Sequence, residues 1–307
     1  MKKLTWLVIK SNKQGYGPCP LKQVIRPAQA FKKLLEEKTN GSIEVELLTT
    51  QEYEQKHGVH LQDVGDVIKA VQKNDIQMSQ VEVYELGDFD SNFFVFDMPW
   101  MFKSHNHASK VLDGKIGYAM NQRLKRNYNV KGLAYTYSGG YRSIGGFKTI
   151  PTLEDLAGKN ILINGNPVTK DYMESLGVKT TRAKNDDGID GRDTTYIRFP
   201  EATNFLKTNH SLFLTDIIVG TDFWNSLTET EQKAMQDVSN EVAVLERGWT
   251  IEDAKEFENT AKENGCEIVE MSKDDQLAMQ EKAKDLYKKW ESKWFPGLMA
   301  GIEKLKQ

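Results

Sequence analysis

Several things are scarce in this sequence, and each scarcity excludes something. Only two cysteines, Cys19 and Cys266, occur in 307 residues; they form no metal motif, and their separation neither requires nor forbids a disulfide. No run approaches the ~18 consecutive apolar residues that mark a membrane span. An excess of charge is missing too. Against 44 acidic residues stand 41 basic ones, for a net charge of −3, and no long basic run or aromatic-interleaved basic patch is present, so nucleic acid is not an expected partner. Catalytic signatures are lacking: there is no G-x-S-x-G, no P-loop, no G-x-G-x-x-G, and no histidine beside Cys19. His57-x-x-His60 and His105-x-His107 lack a third ligand at a characteristic spacing and read as loop histidines. The segment Asp186-Asp187-Gly188-Ile189-Asp190-Gly191 resembles a calcium loop only superficially, since the glutamate at its twelfth position is absent. Neither a metal nor a cofactor is expected. A binding protein is favoured over an enzyme, which survives only as a metal-assisted hydrolase or lyase using Asp186, Asp187, Asp190 or Asp193.

What is present is an α/β pattern long enough for about two domains. The opening MKKLTWLVIK resembles the start of a secretory signal, but its apolar part is short and no small-residue cleavage site follows. Leu4 to Lys10 is therefore expected as a first strand, and any export signal is expected to lie outside this sequence. A Gly/Pro/Asn loop, Ser11 to Pro20, leads to a helix over Ala28 to Lys38. Ile43, Val45 and Leu47 alternate with glutamates as a half-buried strand. A polar loop (Thr49 to Gly58), a helix near Leu61 to Lys73 and a strand over Asp75 to Val83 follow. Phe93 to Phe102, FFVFDMPWMF, is the most apolar window; Pro99 forbids a central strand there, so Phe94, Phe96 and Trp100 are expected in a buried loop or short helix. A helix is expected over Ala108 to Asn127 and strands over Val130 to Tyr135 and Leu212 to Val219. From Asp222 to Gly265 the pattern is almost continuously helical, with a capping box at Thr228 and Glu231. A helix of roughly 35 residues is ~50 Å long, enough to brace two lobes.

The stretch Tyr137 to Asn166 holds the most suggestive chemistry. Arg142 follows Gly139-Gly140 on a short β-like run, and a strand over Asn160 to Ile163 runs into the turn Asn164-Gly165-Asn166-Pro167. A guanidinium offers a planar fork of donors for carboxylate, phosphate or sulfonate.

Taken together, EEKTNGSIEVELL, VFDMPWMF, HASKVLDGKIG, GGYR, TIPTLEDLAGKNILI, GIDGRD and NHSLFLTDIIVGTDFWNSLTETEQKAM resemble the solute-binding proteins of TRAP (tripartite ATP-independent periplasmic) transporters. They keep the family's order over nearly the whole chain. The resemblance implies an α/β, two-lobed periplasmic binding protein fold with crossing hinge strands and a long helix bracing both lobes. Lobe I is expected over residues 1–137 plus about 222–255, and lobe II over 138–221 plus about 256–307. Hinge flexibility is expected at Gly139-Gly140 and around Asp190-Gly191.

By the same resemblance, Arg142 occupies the arginine of the G-F-R motif and faces the ligand. Tyr137 stands where many members place a pocket aromatic, and Glu82 matches a pocket carboxylate of the sialic-acid-binding branch. Asn166 falls on a polar position past the strand, and Asp193 stands for the glutamate of D-G-x-E, with Thr194 after it. Asn12 completes the candidate ligand-binding set. Two departures bear on the substrate. The arginine of K-x-R-V is replaced by Leu162, and the segment from Leu176-Gly177 to Asp190-Gly191 is shortened. The function implied is an extracytoplasmic, periplasmic receptor, a monomer, that captures a small polar solute and hands it to TRAP permease subunits. An organic acid held by Arg142 is one ligand class; a neutral polyol, sugar derivative or zwitterion is the alternative. A sensory binding protein of the same fold is the competing role.

Overall fold

A computed structural model describes residues 1–9, 21–147, 149–182 and 187–306; Asn12, Cys19 and Asp186 lie outside the described residues. In chain order the first elements are β1 (Lys2–Val8), α1 (Leu21–Lys38), β2 (Ile43–Thr49), α2 (Thr50–His57), α3 (Val64–Gln72), β3 (Met78–Glu82) and α4 (Val83–Leu86). After a 3-10 helix at Ser91–Asp97 come α5 (His105–Leu112), α6 (Lys115–Tyr128), β4 (Val130–Gly146), β5 (Asn160–Leu162), α7 (Pro167–Ser175), β6 (Lys179–Thr181) and β7 (Gly191–Thr194). A 3-10 turn at Tyr196–Arg198 precedes β8 (Asn204–Gly220), α8 (Thr221–Ser226), α9 (Glu229–Glu263), β9 (Glu267–Glu270), α10 (Lys273–Glu291) and α11 (Leu298–Lys304). Among these residues no helix is long and apolar enough to cross a membrane.

Among the described residues one sheet holds all nine strands in the order β2-β1-β3-β8-β4-β7-β5-β6, with β9 also paired to β8. Its spine is β4 against β8, antiparallel and 17 residues each. At about 3.3 Å per residue each runs some 55 Å, far beyond the short strands expected at Val130–Tyr135 and Leu212–Val219. One end of β8 pairs β3 through Thr215–Val219, while its other end pairs β9 through Asn204–Lys207. The spine therefore connects a first α/β unit (β1 to β3) with a second (β5 to β7). From Tyr137 to Tyr141, four steps of β4 face only two of β8, from Leu214 to Leu212. Gly139 and Gly140 take φ of +91° and +82° inside that bulge, a region costly for any residue with a Cβ.

Several local expectations need correction. Residues 50–57 form α2 rather than a loop: Thr49 and Glu52 make a reciprocal capping box and Gly58 closes the helix at φ +67°. Only Tyr53 is buried on it, so the apolar periodicity that announces a helix is absent. The helix expected over 108–127 is two helices broken at Asp113-Gly114. Its start takes in His105 and His107, and His107 is buried with Nε2 2.9 Å from the Ile302 carbonyl oxygen. Leu227 and Thr228 interrupt the helical run from 222, and Thr228 caps α9 through Glu231 as its sequence implies. The C-terminal residues, expected with the second lobe, pack on the first unit: α11 lies on α6, Trp294 Nε1 donates to Ser91 O (2.9 Å) and Phe295 N to Asn92 Oδ1 (2.8 Å).

Phe93, Phe94, Val95, Phe96, Met98, Met101 and Phe102 sit in the largest apolar core; Trp100 packs at its edge with φ +54°. A second core joins Leu4, Trp6, Phe31 and Val219 to Met235 and Val238 of α9. The long helix is also tied to α1 by Arg26–Asp253 (2.6 Å), to the α5–α6 corner by Arg247–Asp113 (2.7 Å) and to β8 by Lys207–Glu258 (3.2 Å).

Glu246 of α9 is buried against the spine, where it accepts from Gln80 Nε2 (2.7 Å). Burial pushes its carboxyl up to about 8, against the pull of Gln80, Thr136, Arg26 and Arg247. Because the folded value lies above the unfolded one, the neutral acid's contribution is complete below about pH 4.5 and is lost as pH rises through about 8. Urea unfolding at pH 5 and pH 8 is expected to show Glu246→Gln flattening this slope and exceeding the parent chain at pH 8 by about 1–3 kcal/mol. Equal slopes in both proteins would rule the effect out.

Candidate functional site

Where the spine meets β7, charged and polar side chains converge out of water. Arg142, opposite Ser211 in the β4–β8 ladder, is only 2% exposed. Its Nη1 donates to the Asp193 carbonyl oxygen (3.3 Å) and lies 3.9 Å from Asp193 Oδ2. The guanidinium carbon sits 4.2 Å from the centroid of Phe213. Its Nε and Nη2, both buried, find no hydrogen-bond partner among the described residues. Burial opposes the charge, but Asp193, Asp97, Glu82 and Tyr84 outweigh it and hold the group above its ordinary value.

Three carboxyls surround this cation. Asp193, in β7, is desolvated, yet His210 and Arg142 hold it below the usual carboxylate range. His210 Nε2 lies 3.2 Å from Asp193 Oδ1, and its Nδ1 meets Thr208 Oγ1 at 2.7 Å. Asp97 ends the 3-10 helix at Ser91–Asp97. Burial, with Asp193 and Glu82 nearby, pushes it up to about 7 in spite of Arg142 and Asn166. Asn166 Nδ2 lies close to Asp97 without meeting hydrogen-bond geometry. Glu82, the last residue of β3, pairs with Arg198 Nη1 at 3.1 Å. Arg198 also donates to Ser138 Oγ (3.1 Å), and its guanidinium carbon lies 4.4 Å from the same Phe213 ring.

Asn166 caps α7, its Oδ1 accepting from Val168 N (2.8 Å), while Asn164 Oδ1 accepts from Asn166 N (3.2 Å). Those bonds fix both amides and leave both Nδ2 groups, fully buried, without a partner among the described residues. The Ser211 and Thr195 hydroxyls are in the same condition. Gly191, which starts β7, approaches β4 so closely that a Cβ there would lie 2.3 Å from the Gly145 carbonyl oxygen. That contact sets where Asp193 sits.

Of the residues singled out in the sequence, Arg142, Asp193, Glu82 and Asn166 come together; Thr194, the next residue of β7 after Asp193, is buried opposite Ser143 and by strand alternation leaves the other face. Tyr137 does not join them. Its hydroxyl donates to the His105 carbonyl oxygen (3.4 Å) and its ring lies under Arg247 (5.4 Å). Five residues, an odd number, separate it from Arg142, and the bulge removes two steps without changing that parity (Tyr137 faces Leu214 and Arg142 faces Ser211), so the two side chains leave opposite faces of β4. Leu162 is buried in register with Arg192. Asp190 Oδ2 accepts from Asn160 N (2.9 Å), and among the described residues no group of three His, Cys, Asp or Glu side chains could hold a metal ion. Sequence reasoning passed over Asp97, Arg198, His210 and Phe213. Asp97 had a signal, as the one charge inside FFVFDMPWMF; the other three had none. Elsewhere, an open cleft of about 440 Å³ lies between Trp100, His105, Tyr141, Lys207, Asn209 and Gln276.

Unpartnered donors on Arg142, Asn164 and Asn166 call for acceptors, and buried carboxylates call for donors. A small molecule bearing a carboxylate and hydroxyls supplies both.

The chain matches the family described as bacterial extracellular solute-binding protein, family 7 (DctP), over residues 20–185 and 195–293. It is similar to the C4-dicarboxylate-binding protein DctB of Bacillus subtilis, with 23% identity over 86% of this chain and 77% of that one. In fold it is similar to a TRAP periplasmic solute-binding protein of Pseudomonas putida F1 with bound D-glucuronate, at TM-score 0.82 and 24% identity over 98% of this chain and 96% of that one. The sugar acid binding protein DctPAm of Advenella mimigardefordensis, in complex with galactonate, superimposes at TM-score 0.84 and 15% identity over 99% and 97%.

Proposed function

The chain belongs to bacterial extracellular solute-binding protein family 7, and from that premise we propose that its ligand is a hydroxy acid carrying a single carboxylate. The observation that carries this reading is Arg142: a buried guanidinium whose Nε and Nη2 are not used by the described protein. A carboxylate takes both in a bidentate pair. Glu82, Asp97 and Asp193 accept hydroxyl hydrogens and repel a second anionic group, which sets the sugar acids bound by the two solved relatives above the C4-dicarboxylates named for DctB.

Its working cycle is closure of two lobes on that acid in the periplasm, followed by delivery to a TRAP permease, with the receptor acting as a monomer and catalysing nothing. Lobe I comprises residues 1–137, about 222–255 and the C-terminal residues from about 293. Lobe II comprises 138–221 and about 256–292. Bending falls at the β4 bulge carrying Gly139 and Gly140 and near Asp190-Gly191.

Thermal unfolding against sugar acids, C4-dicarboxylates and neutral polyols tests the ligand class. A ligand at 100 times its Kd stabilises by about 2.7 kcal/mol, so aldonates or uronates are expected to raise Tm by several degrees while polyols leave it unchanged. Stabilisation by polyols alone would overturn the carboxylate reading.

A further inference from the structure

We propose that Glu82 selects the charge of the ligand by neutralising Arg198, a second guanidinium at the site; this rests on the carboxylate reading above. Arg142 and Arg198 lie 4.2 and 4.4 Å from the centroid of one ring, Phe213. Two cations on one buried ring repel each other unless each has its own counter-charge. Asp193 serves Arg142 and Glu82 serves Arg198.

The two guanidinium groups are not equivalent. Arg142 keeps two buried nitrogens without a described partner, whereas Arg198 is engaged by Glu82 on Nη1 and by Ser138 on Nη2. One arginine is thus open to an anion and the other is occupied by an internal one. Glu82 comes from the end of β3 and Arg198 from the turn behind β7, so the pair joins the two α/β units across the site. Its side chains are 12% and 7% exposed, dry enough for a change of one charge to be felt by a ligand nearby. With Glu82 ionised each guanidinium has its own counter-charge, and only Arg142 keeps unused donors for a ligand carboxylate. Without Glu82 the charge of Arg198 is uncompensated, and the site suits a ligand with a second carboxylate.

Isothermal titration of the full chain tests this with D-gluconate, L-gulonate and D-glucuronate against succinate and L-malate. The parent protein is expected to prefer the first group. Glu82→Gln keeps the shape and removes the charge, and is expected to move the ratio of the two affinities at least tenfold toward the dicarboxylates. A purely structural loss would weaken both groups together and leave the ratio unchanged, which overturns the inference while the carboxylate reading stands. A parent protein that binds neither group overturns both. If Glu82→Gln does not fold, Arg198→Gln decides. Leaving Glu82 without its partner is expected to weaken the monocarboxylates at least tenfold, and unchanged affinity overturns the inference.

Discussion

Replacing Arg142 with alanine is expected to weaken carboxylate binding by at least about 100-fold and to destabilise the apo protein by about 3–5 kcal/mol at neutral pH. The binding figure follows from two charge-assisted hydrogen bonds at about 1.5–3 kcal/mol each, with tenfold for every 1.4 kcal/mol. Stability falls because the buried cation next to Asp193 disappears and leaves an uncompensated buried charge. That second loss depends on pH in a defined direction. Without Arg142 the neighbouring carboxyls titrate higher in the folded state, so the variant recovers on acidification as Asp193 and Asp97 take up protons. Urea unfolding at pH 5 and 7.5, together with calorimetric titration, separates the two effects. Binding retained within threefold would mean that Arg142 is only the structural partner of Asp193.

Arg247→Ala is expected to cost about 2–4 kcal/mol and to loosen the contact between α9 and the spine. Arg247 grips both oxygens of Asp113 at 2.7 Å and donates to the Tyr135 carbonyl oxygen from Nε (3.0 Å) and Nη2 (2.5 Å). The Asp113 side chain is 55% exposed, which limits that ion pair to about 0–1 kcal/mol. Most of the effect comes from the buried bonds to the Tyr135 carbonyl and from packing on Tyr137. Lysine preserves the charge but not the fork, so Arg247→Lys should regain less than half of the loss. Urea unfolding measures the total, and faster amide exchange at 113–114 and 135–137 locates it. A loss below about 1 kcal/mol would show that the helix is held by its apolar stripe alone.

The sequence was most informative where one residue pair carries a local rule. Thr228 and Glu231 announce the start of α9, and the glycine pair 139–140 marks a place where ordinary strand geometry fails. Arg142 and Asp193 were chosen from motifs of the family that the sequence resembles, Glu82 and Asn166 from their positions in that resemblance, and all four meet. The omissions have equally definite causes. Helix α2 forms from caps with almost no apolar face, so periodicity could not announce it. Tyr137 lies apart from Arg142 because an odd number of strand residues separates them, and the bulge, which adds two, leaves that alternation unchanged. Arg198 and His210 gain their meaning from Glu82 and Asp193, partners far away in the chain. No local window contains that information.

The first α/β unit is closed by parts of the chain that are made last. Helix α1 is covered by α9, strand β1 is pinned through Lys2 to Glu231, and α5 and α6 are sealed by Trp294, Ile302 and the rest of the C-terminal segment. While the ribosome is still at work, the residues emerging first therefore have no complete core to collapse into. The pace of folding of this unit is thus set by contacts between early and late parts of the chain, separated by more than 200 residues, as in Lys2 with Glu231 and Ser91 with Trp294.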